Sequence, residues 1–151
     1  MSAFEIVRST HVGADPARVH SLVNDFRAWR QWSPWEDVDP QLEREYSGAD
    51  EGVGSHYSWS GNRKAGAGSM EITASNPEEI GIRLSFLKPF KATNQIRFVL
   101  TPAQGGTDVD WRMAGEQKGL MALFGKLFPM DRLVGGDFEK GLARLKAAAE
   151  A

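Results

Sequence analysis

PMDRLVGGDFEKGLARLKAAA, residues 129–149, is the stretch around which the rest of the chain must be arranged. Met130, Val134, Phe138, Leu142, Leu145 and Ala149 recur at spacings of three and four, and at 3.6 residues per turn they share one stripe. Glu139, Lys140, Arg144 and Lys146 project elsewhere, so the spacing predicts an amphipathic helix with one buried face. Pro129 suits a first helical position, Asp131 a first turn, and Lys146 the opposite end of the helix dipole. Gly135 and Gly136 interrupt this simple picture, because each costs about 1 kcal/mol against Ala inside a helix. Either the helix begins beyond them or a neighbour passes too close for a Cβ; the second is the reading adopted. Such a helix needs an apolar surface to lie on, and the residues before it should supply one.

They do so mainly as strands. Phe4, Ile6 and Val12 alternate with polar residues, which predicts a first strand over about 3–12. Asp15-Pro16 then offers an N-cap followed by proline at the first helical position, and Val19, Leu22, Val23 and Phe26 give a short helix its apolar stripe. One or two further helical turns carry Trp29 and Trp32 until Pro34 stops them. From Gln41 the period becomes two: Leu42, Arg44 and Tyr46 share a face, as do Tyr57 and Trp59, then Met70 and Ile72. Three glycines within residues 47–54 turn the chain, and Gly61-Asn62-Arg63-Lys64 reads as a hairpin tip. Ile80, Ile82, Leu84 and Phe86 alternate cleanly, followed by Asn94, Ile96, Phe98 and Leu100, then Val109, Trp111 and Met113. Six consecutive strands on short connections argue for an antiparallel meander, and the first strand makes seven. With one apolar face to cover, the terminal helix is its natural cover. The fold class expected is α+β, in the order β-α-α-β-β-β-β-β-β-α. GLMALFGKLF, residues 119–128, is apolar and flanked by glycines, and reads either as a packed helical turn or as a flap hinged over an opening.

The 151 residues suit one domain, and 41% hydrophobic with 25% charged residues is ordinary for a globular protein. A net charge of −2 gives no electrostatic case for nucleic acid or an anionic membrane. No cysteine is present, so disulfides and thiolate chemistry are excluded. The charged N-terminus lacks a signal-peptide pattern and no stretch is long enough to span a bilayer, so a cytoplasmic protein is expected.

Four pieces of the chain together resemble a known family: ADPARVHSLVNDFRAWRQWSPWEDVDP (14–40), SGADEGVGSHYSWSGNRKAGAGSMEI (47–72), FLKPFKATNQIRFVLTP (86–102) and DFEKGLARLK (137–146). Their order and spacing are similar to the SRPBCC superfamily, in its START-like, polyketide cyclase/dehydrase-type branch. The resemblance spans essentially the whole chain as a single domain. It implies a helix-grip fold: a seven-stranded antiparallel sheet wrapped around the long C-terminal helix, two short helices after the first strand, and a cavity between sheet and terminal helix. The family includes lipid and sterol carriers, other ligand binders, aromatase/cyclases and co-chaperone domains, with no shared catalytic motif to carry over.

The residues themselves point away from a built catalytic centre. His11, His20 and His56 fall at outward or surface positions, and no His/Asp/Glu cluster has metal-ligand spacing. No serine carries a nucleophile-elbow motif, and Gly66-Ala-Gly68 is not followed by a helix that would make it a phosphate cradle. No cofactor is expected. The informative positions are inward ones. Arg44 and Asn94 are polar at inward parity, where a buried cation needs a partner unless it reaches water at the strand end. Trp35, Tyr57, Trp59, Met70, Phe86, Phe98, Trp111 and Met113, with Phe138 from the helix, form an inward aromatic and thioether set. Singly such residues are core; together with a few polar groups they have the composition of a pocket for apolar ligands. The function expected is binding or carriage of a small hydrophobic molecule. The alternatives are a cyclase or dehydratase in which Arg44, Tyr57 or Asn94 polarises a carbonyl, and a co-chaperone-like interaction domain with a protein partner.

Overall fold

The computed structural model describes residues 2–36, 39–63, 65–88, 91–117 and 130–151. Strand β1 (Ser2–Val12) is followed by helix α1 (Pro16–Val23) and a short 3-10 turn (Ala28–Gln31). Strands β2 (Glu43–Gly48), β3 (Ser55–Ser60), β4 (Ala67–Asn76), β5 (Glu79–Lys88), β6 (Ala92–Ala103) and β7 (Gly106–Gln117) come next, and helix α2 (Met130–Glu150) ends the chain. The seven strands form one antiparallel sheet in the order β1-β7-β6-β5-β4-β3-β2, so the meander from β2 to β7 is completed by β1 pairing back onto β7. This is the element order that the alternation predicts and the helix-grip arrangement that the resemblance implies. The suggested flap over 119–128 and the proline at 129 lie outside the described residues.

The period-two pattern decides which face is covered. Ile82, Leu84, Ile96, Phe98, Leu100, Val109, Trp111 and Met113 are buried on the inner face. The outer face carries exposed or half-exposed ion pairs, such as Arg97–Glu79 and Arg83–Glu71. Register is interrupted between Ala67 and Gly68 and between Ile72 and Ala74, bulges that bend β4. Helix α1 begins at Pro16 as expected, but the Asp15 side chain makes no capping hydrogen bond.

Helix α2 is not centred on the sheet. It runs along β1 and also meets α1 and the 3-10 turn. Its stripe is buried through Phe138, Leu142, Leu145 and Ala149, with Val134 half-buried against the same core. Phe138 stacks flat on Trp111, with ring centroids 4.0 Å apart and planes 7° from parallel. Gly141 permits that proximity: a Cβ there would lie 2.8 Å from Trp111 Cζ3 and 2.9 Å from Pro34 Cδ. Of the two glycines that interrupt the stripe, Gly135 is the one held by a neighbour, because a Cβ would collide with the Arg8 guanidinium from β1. Gly136 faces open space. The far end of α2 is tied down by polar contacts. Gly13 N–H donates to Glu150 Oε2 at 2.7 Å, Arg18 to the Ala148 carbonyl at 3.1 Å, and Lys146 Nζ to the His11 carbonyl at 3.0 Å.

Candidate functional site

The residues between α1 and β2 build one wall of a cavity. Trp29 and Trp32 anchor that wall, because their indole N–H groups donate to the carbonyls of Val23 and Leu22, each at 2.8 Å. Those carbonyls belong to the last turn of α1, where the helix has no partner for them. Capping thus fixes both indoles at a defined depth. Trp32 turns into the core against Phe98 and Trp111, while Trp29 reaches the cavity. Trp35 donates from Nε1 to Asp137 Oδ2 at 3.2 Å, fastening the same segment to α2.

The opposite wall is the inner face of β3, β4 and β5. Tyr57 and Trp59 stack with centroids 6.1 Å apart, and Phe86 stands edge-on to Trp59 at 5.9 Å. Trp59 donates to the Ala65 carbonyl at 2.9 Å and lies over Gly68, where any Cβ would strike its ring. Between the walls is a cavity of about 150 Å³, lined by Phe26, Trp29, Ser33, Trp35, Glu36, Leu42, Tyr57, Trp59, Ala65, Met70, Leu84 and Phe86. A cavity of that size has room for a benzene-sized molecule.

Its polar edge is Glu36. Arg44, projecting inward from β2, donates through Nη2 to Glu36 Oε2 at 2.5 Å, and both side chains are mostly buried, 18% and 14% exposed. Burial works against the Arg44 guanidinium, but the attraction of Glu36 and the hydrogen bond to it prevail, and the net displacement of its pKa is upward. Arg44 Nε is buried without a hydrogen-bond partner among the described residues, as is the Tyr46 hydroxyl. Burial, followed by the negative charge of Glu36, pushes the Tyr57 phenol from its ordinary value of 10.0 up to about 12. Tyr46 is raised for the same leading reason. Both phenols therefore keep their protons at neutral pH.

Of the inward residues singled out in the sequence, Trp35, Tyr57, Trp59, Met70 and Phe86 line the cavity. Arg44 stands behind Glu36 and is not part of the lining. Asn94 is buried on β6 opposite Leu84, packed over Gly115 and outside the lining. Phe98, Trp111, Met113 and Phe138 are core. No described residue of α2 lines this cavity, and the Trp111–Phe138 stack packs the helix against the sheet beside it. Sequence reasoning missed Phe26, which reads as the last member of the first helix's apolar stripe, and Trp29, Ser33, Glu36 and Ala65, which are on irregular chain or a short turn where no periodicity reports facing. Leu42 and Leu84 carry an inward parity that does not distinguish cavity lining from strand packing, and Arg8 shares the inward parity of Ile6. Among the described residues no group of three or more His, Cys, Asp or Glu is placed to hold a metal ion.

A family model described as polyketide cyclase / dehydrase and lipid transport matches residues 3–150. The chain belongs to that family. Solved structures repeat its fold at low identity. A protein from Chromobacterium violaceum, CV1439, is 15% identical with a TM-score of 0.68, and 97% of each chain is covered. StfQ, a di-domain ARO/CYC of the steffimycin biosynthetic pathway, is 12% identical with a TM-score of 0.73; the match covers 98% of this chain and 51% of that one. Ara h 8.0201 is 15% identical with a TM-score of 0.63, covering 99% and 96%. A comparison with curated proteins gives no match. At these identities the polyketide cyclase/dehydrase likeness fixes the fold, and only the cavity's own residues speak to what it holds. No described helix is long and apolar enough to cross a membrane.

Proposed function

We propose that this protein binds a small, ring-bearing apolar molecule in the cavity between residues 26–36 and strands β3–β5, without transforming it. The observation that carries the reading is a cavity of about 150 Å³ walled mainly by aromatic and aliphatic side chains. Pockets for apolar ligands have this composition, with few polar groups. Membership of a family described by both cyclase and lipid-transport activities agrees with a binding domain but does not choose between carriage and chemistry. Two features favour carriage. Of the three groups considered for polarising a carbonyl, Asn94 lies outside the lining and Arg44 is engaged by Glu36. That leaves the Tyr57 phenol, which stays protonated at neutral pH, so it can orient a ligand by donating a hydrogen bond but is not available as a base.

The size of the cavity limits affinity. A single ring removes about 200 Å² of apolar surface from water, which gives about −5 kcal/mol, a dissociation constant of a few hundred micromolar. Trp29, Trp35 and Trp59 all line the space, so occupancy should change tryptophan emission and saturate. Titration with toluene and indole, read by emission and by melting temperature, checks this. If neither ligand alters emission nor raises the melting temperature at millimolar concentration, the binding reading fails and a protein-interaction role takes precedence.

A further inference from the structure

An inward arginine beside an aromatic cavity would ordinarily mark a site for acids. Here the arrangement reverses that expectation. Arg44 comes from β2, an edge strand of the sheet, and Glu36 comes from the segment after the 3-10 turn. The two meet at 2.5 Å with both side chains mostly out of water. Glu36 lines the cavity and Arg44 does not. A ligand entering the space therefore meets the carboxylate of a neutral pair and not the guanidinium.

We propose that Glu36 is the specificity-determining residue of the cavity: by occupying Arg44 it turns the site against carboxylates and toward neutral rings that bear a hydrogen-bond donor. This rests on the binding reading above and deepens it. The chemistry follows from the oxygens. Oε2 accepts from Arg44, and among the described residues none donates to Oε1. That oxygen can accept from a hydroxyl on a ligand ring, and a charge-assisted bond of that kind outweighs a neutral one. An incoming carboxylate has the opposite effect, because two anions are brought together in surroundings that screen them poorly. Removing one partner of a buried pair leaves the other charge uncompensated, and a ligand of the complementary charge then relieves it.

Four probes on one ring size test the assignment: toluene, p-cresol, benzoate and benzylammonium, measured by calorimetry against the full chain. The wild type should take p-cresol at least tenfold tighter than toluene, the worth of one hydrogen bond to a charged group, and benzoate at least thirtyfold weaker than p-cresol. Glu36→Gln frees Arg44 and should raise benzoate affinity at least tenfold relative to that for toluene. Arg44→Met leaves Glu36 unneutralised and should raise benzylammonium affinity at least tenfold, again relative to toluene. Benzoate binding to the wild type as tightly as p-cresol overturns the proposal. So does a folded Glu36→Gln protein that gains nothing for benzoate. Should that variant not fold, the Arg44→Met arm decides, and the wild-type ratio of benzoate to p-cresol stands in either case. Failure of toluene and p-cresol alike to bind the wild type removes the binding reading itself. Toluene binding with no discrimination among the charged probes removes only the role of Glu36.

Discussion

The inner face of the sheet is used in two different ways. Over β1 and β7 the helix lies close: Phe138 stacks on Trp111, and Gly141 lets backbone approach indole. Over β3, β4 and β5 the cover is a segment without long regular structure, held off by Trp29 and Trp35, and a cavity remains. Both halves are aromatic and both read alike in sequence. They differ in what lies across from them. A regular helix with glycine at the contact closes to van der Waals distance, whereas bulky indoles propped by hydrogen bonds to a carbonyl and a carboxylate keep a fixed gap. Stability should therefore be concentrated in the helix half and binding in the other, and that division can be broken by substitution.

The largest effect belongs to the helix half. Phe138→Asp removes the ring stacked on Trp111 and places a carboxylate where the side chain is fully buried. Lost burial and an unpaired charge together remove several kcal/mol, a large part of a domain's total stability, so the chain should be unfolded or nearly so. Lys140 is exposed on the same helix, and Lys140→Ala should stay within about 0.5 kcal/mol. Urea melts of the two variants check both. Small, equal shifts would mean that the helix contributes no more than a surface element.

A finer test uses glycines of one helix. Ala ordinarily stabilises a helix interior over Gly by about 1 kcal/mol. At Gly136, where a Cβ meets nothing, Gly136→Ala should show that gain. At Gly141 the added carbon lies 2.8 Å from the Trp111 ring and 2.9 Å from Pro34, and neither can yield easily inside a packed core. Gly141→Ala should instead cost about 1–3 kcal/mol. The two substitutions should move the thermal midpoint in opposite directions. Movement the same way would show that the helix half has slack.

Much of this architecture is legible before any coordinates. Alternation at Ile80, Ile82, Leu84 and Phe86 or at Asn94, Ile96 and Phe98 reports a half-buried sheet because strand side chains repeat every two residues. The spacing from Phe138 to Ala149 reports a buried helical stripe for the corresponding reason. Parity names a face but not a place on it. Trp59 and Trp111 are in phase with equal claim to a pocket, yet Trp59 lines this cavity and Trp111 does not, because Phe138 of α2 stacks on Trp111. Glu36 is harder still. It follows a 3-10 turn on irregular chain, and its pairing with Arg44 is a tertiary fact with no local signature.

The smallest effect separates the halves by pH and concerns Tyr57, a cavity residue with no counterpart beneath the helix. Burial holds its phenol at about 12 when folded against 10.0 ordinarily. The unfolded chain therefore loses this proton first. Below pH 10 the group makes no difference to the pH dependence; between pH 10 and 12 the unfolded state is increasingly favoured, and stability falls as pH rises. Tyr46 is displaced the same way and adds to the slope. In Tyr57→Phe that part of the alkaline loss should vanish, leaving a shallower decline, while stability at neutral pH changes by about 1 kcal/mol or less. Urea midpoints of both proteins at neutral pH and across pH 10–12 check the sign. Parallel alkaline curves would mean that the phenol titrates as if in water and that the cavity wall is far wetter than its lining implies.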